Sequence, residues 1–179
     1  MIKVKVLSAE EAVKLIHDGA CVGVTGFAGA AHAEVVTEAV EASFLAKGHP
    51  RDLSLFYCAG IGDGQTKGLN HFGLEGLVRK VVGGHWNLSP KLGELAVANK
   101  IEAYNFPQGT LTQLVLDIAA GKPGTVSRVG LKTFVDPRVE GGKLNDVTTE
   151  DLVEVIQLDG QEYLFYKGCK IDVAIIRAT

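Results

Sequence analysis

Ala20-Cys21-Val22-Gly23-Val24-Thr25-Gly26-Phe27-Ala28-Gly29-Ala30-Ala31-His32-Ala33-Glu34 is the stretch that decides the fold. It runs from a short apolar segment through a glycine-containing loop into residues with helical periodicity. Val22 and Val24 give Ala20 to Val24 the character of a buried strand. From about Ala33 to Lys47, Val36, Val40 and Phe44 recur on one helix face, and Gly48-His49-Pro50 stops the run. Strand, glycine loop and helix in that order open a βαβ unit.

The same alternation extends in both directions. Upstream, Ser8 followed three residues later by Glu11 reads as a capping box. It opens a helix with Ala12, Val13, Leu15 and Ile16 on its apolar face, ended by Asp18-Gly19. Downstream, Leu53 to Cys58, Arg79 to Val82 and Ile101 to Tyr104 read as strands. Between them Ser89 can cap a helix with Pro90 at its first position, and Thr110 to Ala120 forms another helix. The expected fold is α/β, a three-layer arrangement of a largely parallel sheet flanked by helices.

Near the end the pattern changes. Val153 to Leu158 and Glu162 to Tyr166 flank Asp159-Gly160, a hairpin-turn signal, so a C-terminal β-hairpin excursion is expected. A last apolar strand spans Ile171 to Ile176. With no helix after it, Val173, Ile175 and Ile176 are expected to stand bare, and residues 1–179 read as one domain that is incomplete at its C-terminal end.

At 179 residues and 46% apolar composition, the chain has material for one well-buried core. A net charge of −3 with scattered Lys and Arg leaves no electrostatic footprint for nucleic acid or an anionic membrane. Cys21, Cys58 and Cys169 are too few and too far apart for a disulfide framework, and no CxxC, HxxxH or HExxH spacing marks a metal site. The start is too short and too charged for a signal peptide. A soluble, intracellular protein is the economical reading, and cytoplasmic its expected place.

Several sites keep two readings each. In an open α/β sheet, ligands bind beyond the carboxyl ends of strands, often at a helix N-terminus. The loop Gly26-Phe27-Ala28-Gly29 is therefore a ligand loop for a carboxylate or phosphate, or else a tight turn. Its spacing does not meet the GxGxxG dinucleotide pattern. Gly60, Gly62 and Gly64 approach a ligand or form a surface turn. Gln108, between a strand and a helix, offers a donor and an acceptor to a ligand. His85 is an acid–base group or a side chain packed by Trp86. Cys21 and Cys58 lie in apolar strands, where inert packing is the usual role, and Glu140 sits in a solvated turn. The residues alone thus define an α/β enzyme or binding domain with an anion-accepting loop.

Resemblance goes further. Asp18-Gly19 through Gly26-Phe27 is similar to the first signature of family I coenzyme A transferases, where Asp-Gly and an apolar run precede Gly-Gly-Phe and then a later Gly and Pro. Pro107-Gln108-Gly109 resembles that family's Pro-Gln-Gly segment. Gly68-Leu69-Asn70-His71-Phe72, Gly83-Gly84-His85-Trp86, Ala119 to Gly124 and Thr133 to Arg138 resemble the single-chain acetate/propionate branch. Gly141 to Asn145 and Glu162 to Tyr166 extend the likeness over nearly the whole chain. Thr25, Ala31 and Ala33 depart from the signature at two Gly positions and its Pro, and Lys132 stands where a small residue is usual.

The resemblance implies transfer of CoA between an acyl-CoA and a short-chain acid through a glutamyl-CoA thioester. Gly26, Phe27, Ala28, Gly29 and Gln108 would bind the substrate carboxylate, with Gly60, Gly62 and Gly64 toward CoA. The CoA thioester is a substrate; no permanent cofactor or metal is implied. The family's Ser-Glu-Asn-Gly segment does not occur here, so no catalytic residue is assigned in this chain. The nucleophile would come from the C-terminal half of the same enzyme or from a beta-type subunit, in a homo-oligomer. The alternative is a nucleotide- or sugar-phosphate-binding domain without transferase chemistry.

Overall fold

The computed structural model describes residues 4–178. Ser8 opens α1 (Ala9–Val13): its hydroxyl accepts the Glu11 amide, and the Glu11 carboxylate accepts the Ser8 amide. α1 is shorter than its periodicity predicts. The Leu15 and Ile16 amides bond only three residues back, to Ala12 and Val13, so the chain tightens into turns while Ile16 still reaches the core.

The chain then forms β1 (Cys21–Val24), α2 (Glu34–Lys47), β2 (Leu53–Tyr57), β3 (Val78–Gly83), α3 (Pro90–Val97), β4 (Glu102–Asn105) and α4 (Gln108–Ala119). After these come β5 (Gly124–Ser127), β6 (Val153–Leu158), β7 (Gln161–Lys167) and β8 (Val173–Ile175). A 3₁₀ turn, Leu69–Phe72, lies between β2 and β3. Ser89 precedes α3 but does not cap it; its hydroxyl donates to the Ile61 carbonyl.

The main sheet has the order β4-β3-β2-β1-β8, with every neighbouring pair parallel. Side-chain alternation along its strands builds two cores. Leu53, Leu55, Tyr57, Val81 and Ala103 face α1, α2, α3 and the 3₁₀ turn. Phe56, Val82 and Tyr104 face α4 and a second sheet. The outer layers therefore differ, one helical and the other mixed.

The expected hairpin is present, with Asp159 and Gly160 both at positive φ, as a two-residue primed turn requires. It belongs to a three-stranded antiparallel sheet, β5-β7-β6. β5 has no sequence signal because Gly124-Thr125-Val126-Ser127 lacks an apolar run. β8 is less bare than expected. Ile175 is buried in the helical-face core and Val173 packs against it, leaving Ile176 and Ala174 outward. No described helix is long and apolar enough to cross a membrane.

Leu55 lies in the middle of β2 and is 1% exposed, whereas Leu158 at the hairpin tip is 47% exposed. Leu55→Ala should cost about 3 kcal/mol in urea unfolding, and Leu158→Ala within about 0.5 kcal/mol of nothing. Equal costs at the two positions would contradict this core.

Candidate active site

At the carboxyl edge of the main sheet the chain leaves β1, β2, β3 and β4 in four successive loops. Strand order reverses beside β1, whose neighbours are β2 and the distant β8. A crevice opens at such a point in a parallel sheet.

The β1 loop is held from both sides. The Thr25 amide donates to the Ile175 carbonyl (3.1 Å), and Phe27 and Ala30 exchange two backbone bonds (3.0 and 2.9 Å). The Ala28 amide donates to the Gly60 carbonyl (2.7 Å), and the Gly62 amide returns a bond to the Ala28 carbonyl (2.9 Å). The structure thus brings Gly26, Phe27, Ala28 and Gly29 together with Gly60 and Gly62. The Phe27 and Ala28 amides are used internally. Those of Gly26 and Gly29 have no acceptor among the described residues. Phe27 is 66% exposed, an apolar wall beside them.

Gly60 and Gly62 are small for reasons internal to the protein. A Cβ on Gly60 would run into the His85 ring, and Gly62, at φ 144°, lies against the Leu88 carbonyl. Gly64 donates to that same carbonyl (3.1 Å). His85 is exposed and rests on Gly60, while Trp86 turns to Tyr57, with ring centroids 6.4 Å apart. A cleft of about 180 Å³ opens beside the β1 loop, with Ala28, Gly29, His32, Lys67 and Arg177 in its wall.

Gln108 is exposed at the first position of α4, whose N-terminus has no side-chain cap. Its Cα lies against Gly84 after β3. Two strands separate it from the β1 loop, about 14 Å along the edge at ordinary strand spacing. The candidate donors therefore form two groups, not one cluster.

Between and beneath them lies a feature that sequence reasoning missed. Five buried side-chain atoms among the described residues lack a hydrogen-bond partner: His32 Nδ1, Tyr57 OH, Trp86 Nε1, Asn105 Oδ1 and Thr110 Oγ1. All five sit at this edge. Tyr57 and Asn105 end β2 and β4, His32 and Trp86 lie in the following loops, and Thr110 is in the first turn of α4. Buried polar atoms are rarely left unpaired, so their concentration sets this edge apart from the rest of the described residues. The available signal was a polar residue closing an apolar strand.

A match to the coenzyme A transferase family model covers residues 6–179. The chain belongs to the coenzyme A transferase family. It is 47% identical over 175 residues to caffeate CoA-transferase of Acetobacterium woodii, covering 98% of this chain and 33% of that protein. It is 46% identical over 178 residues to acetate CoA-transferase YdiF of Escherichia coli K12, covering 99% of this chain and 34% of that protein. The structure of the E. coli O157:H7 acyl-CoA transferase YdiF, a thioester complex with CoA, superposes with a TM-score of 0.95 at 45% identity, covering 97% of this chain and 34% of that one. The CoA-transferase chain spans about a third of the length of these relatives. The reading as a nucleotide- or sugar-phosphate-binding domain gains no support from them.

The signature departures have a backbone meaning. Ala31, where the signature has Gly, adopts φ 52°, and Lys132 adopts φ 62°. These are conformations that glycine takes without cost. Thr25 escapes that strain, since its φ is not positive.

Beneath the β1 loop of the CoA-transferase chain lies a charged cluster. The Glu34 carboxylate accepts the Gly68 amide (3.0 Å) and bonds His71 Nε2 (3.0 Å), while His71 Nδ1 bonds Glu41. His32 Nε2 bonds Thr37 (2.9 Å) and lies 3.5 Å from Glu34. The cluster ties the start of α2 to the 3₁₀ turn. Its members are far apart in sequence, and no local pattern announces them.

Burial pushes His71 down, but its bonds to Glu41 and Glu34 outweigh this and hold it above the ordinary histidine value. Burial likewise raises Glu34, yet His71 and Gly68 hold it low. Burial lowers His32. A raised histidine stabilises fully below 6.5 and loses that contribution as pH rises through its folded value. A lowered glutamate stabilises above 4.5 and loses this on acidification. His32 acts in the opposite sense to His71. The difference between wild type and His71→Ala therefore isolates the His71 contribution. His71→Ala should cost about 2 kcal/mol between pH 4.5 and 6.5, and the gap should narrow as pH rises further. A gap that widens with pH would refute the charged pairing.

Proposed function

We propose that this chain is the carboxylate-binding part of a CoA-transferase. The complete enzyme moves CoA between a short-chain acyl-CoA and a free acid such as acetate. The observation that carries the reading is the carboxyl edge itself: two unoccupied loop amides, Gln108 at an uncapped helix start, and five unpaired buried polar atoms. Family membership and relatives named as acetate and caffeate CoA-transferases support it.

In this reading a glutamate oxygen attacks the thioester carbonyl of acyl-CoA, and the CoA thiolate leaves an acyl-glutamyl anhydride. The thiolate then attacks the glutamyl carbonyl and releases the acid, forming the glutamyl-CoA thioester. An acceptor acid reverses the sequence. Each tetrahedral step places negative charge on oxygen, which preorganised N–H donors stabilise. The Gly26 and Gly29 amides stand on one side of the strand ends and the Gln108 side chain on the other. The carboxylate and the thioester lie between, with Phe27 against the acyl chain. Gly60 and Gly62 act mainly by letting His85 and Leu88 pack against the β2 loop, while Gly64 supplies a turn at positive φ.

The glutamate comes from the C-terminal half of the same enzyme or from a beta-type subunit. The domain formed here is then an N-terminal, alpha-type one in a cytoplasmic homo-oligomer. CoA enters as substrate and no resident cofactor is needed. Without a Ser-Glu-Asn-Gly segment, residues 1–179 alone should show no acetate-dependent CoA exchange. In the complete enzyme, mass spectrometry after acetyl-CoA treatment should find a CoA adduct on a glutamate; exchange by the isolated chain would overturn the assignment. Gln108→Ala in the complete enzyme should lower kcat/KM about 10- to 100-fold with unchanged melting. Unaltered kinetics would remove Gln108 from the site.

A further inference from the structure

On the opposite side of the main sheet from α1 to α3, a cavity of about 420 Å³ lies between β1, β2, β3 and the β7–β8 link. Both Cys21 and Cys169 line it. Cys21 begins β1 and is half-buried; Cys169, in the link, is exposed. The two segments are fastened together at this point. The Asp172 amide donates to the Cys21 carbonyl (2.9 Å), and the Cys21 amide donates to the Asp172 carboxylate (3.0 Å). Cys169 lies only three residues before Asp172, so this fastening brings both thiols to the same cavity. Of the four cations in the cavity wall, Lys80 pairs with Glu150 and Glu102, Lys167 with Glu154 and Lys170 with Asp172, which leaves Arg79 without an ion pair among the described residues.

We propose that Cys169 and Cys21 form a thiol-modification site, oxidised to an intramolecular disulfide by an anionic low-molecular-weight disulfide of the glutathione type. None of the chemistry proposed for the carboxyl edge uses either residue, so this site stands apart from that reading. The exposure of the pair assigns the order of events, since Cys169 is open to solvent and Cys21 is half-buried. The neighbouring Cys21 and the Lys80 ammonium hold the Cys169 thiol below its ordinary value. Its partnership with Cys169 and its own burial push Cys21 up. Cys169 is the attacking thiol and Cys21 the resolving one.

The Cys169 thiolate attacks one sulfur of the small disulfide, the S–S bond breaks, and one small thiolate leaves. Cys21 gives up its proton to solvent and attacks the Cys169 sulfur, expelling the second small thiol. Two protein thiols are oxidised to one disulfide, and one small disulfide is reduced to two thiols. Arg79, the wall's cation without an ion pair among the described residues, favours an anionic reagent over a cationic one. In a reducing compartment such a bond is transient, in keeping with a redox-responsive role.

The purified, reduced protein is treated with oxidised glutathione and mapped by peptide mass spectrometry. The expected product is a Cys21–Cys169 cross-link, reversed by dithiothreitol, with Cys58 unmodified because burial raises its thiol and it lies outside this cavity. Cys21→Ser should stop at a stable mixed disulfide on Cys169, and Cys169→Ser should leave Cys21 free. Cystamine, a cationic disulfide, should react several-fold more slowly. The wild-type map decides the pairing even if a variant misfolds. Free Cys21 and Cys169 after treatment, or separate glutathione adducts with no cross-link, would overturn the proposal. Cystamine reacting as fast as oxidised glutathione would overturn its choice of reagent.

Discussion

Two backbone hydrogen bonds, from Ala28 to Gly60 and from Gly62 back to Ala28, carry the pairing of β1 and β2 beyond the strands. Everything at the carboxyl edge depends on them. They fix the height of the β1 loop against the β2 loop, and the Gly26 and Gly29 amides are left without an acceptor among the described residues. They also demand that the β2 loop be nearly flat, since His85 and the Leu88 carbonyl lie directly against Gly60 and Gly62. A side chain at either glycine would push the β2 loop away from the segment that follows β3. The loops are therefore a continuation of the sheet, not flexible connections.

That rigidity explains how buried polar atoms can remain unpaired beside them. Tyr57, Asn105 and Trp86 sit on strand ends and a loop anchored by the packed core. They cannot swing into solvent to find partners. Donors fixed in this way, the Tyr57 hydroxyl and the Trp86 N–H, need no reorganisation to meet a charge. The Glu34–His71–Glu41 cluster holds the other side of the loop from below, with Glu34 in the wall of the cleft.

Much of this was legible in the sequence, for physical reasons that differ by element. β1 to β4 announce themselves because strands of a parallel sheet are apolar on both faces, and α2 and α4 because their inner faces repeat at helical spacing. The Asp159-Gly160 turn was legible because few residues tolerate its backbone. β5 was not, being a short polar strand that exists through pairing with β7 alone. The charged cluster was hidden because Glu34, Glu41 and His71 meet only after α2 packs on the 3₁₀ turn. For the candidate site, the sequence marked the glycine loop and Gln108 but not the distance between them. Strand order sets that distance, and no local pattern encodes strand order.

Strand order also has a kinetic side. β1 through β4 assemble in sequence order, each pairing with the strand just before it. β8 must return to β1 across the whole intervening chain; the bond between Cys21 and Asp172 spans 151 residues. Closing so long a loop is entropically unfavourable until the rest is compact, so the β1–β8 contact belongs to the last stage of folding. During synthesis on the ribosome, β1 keeps one edge open while the other strands are already in place. The crevice at the β1 loop thus acquires its second wall only when almost all of residues 1–179 have emerged.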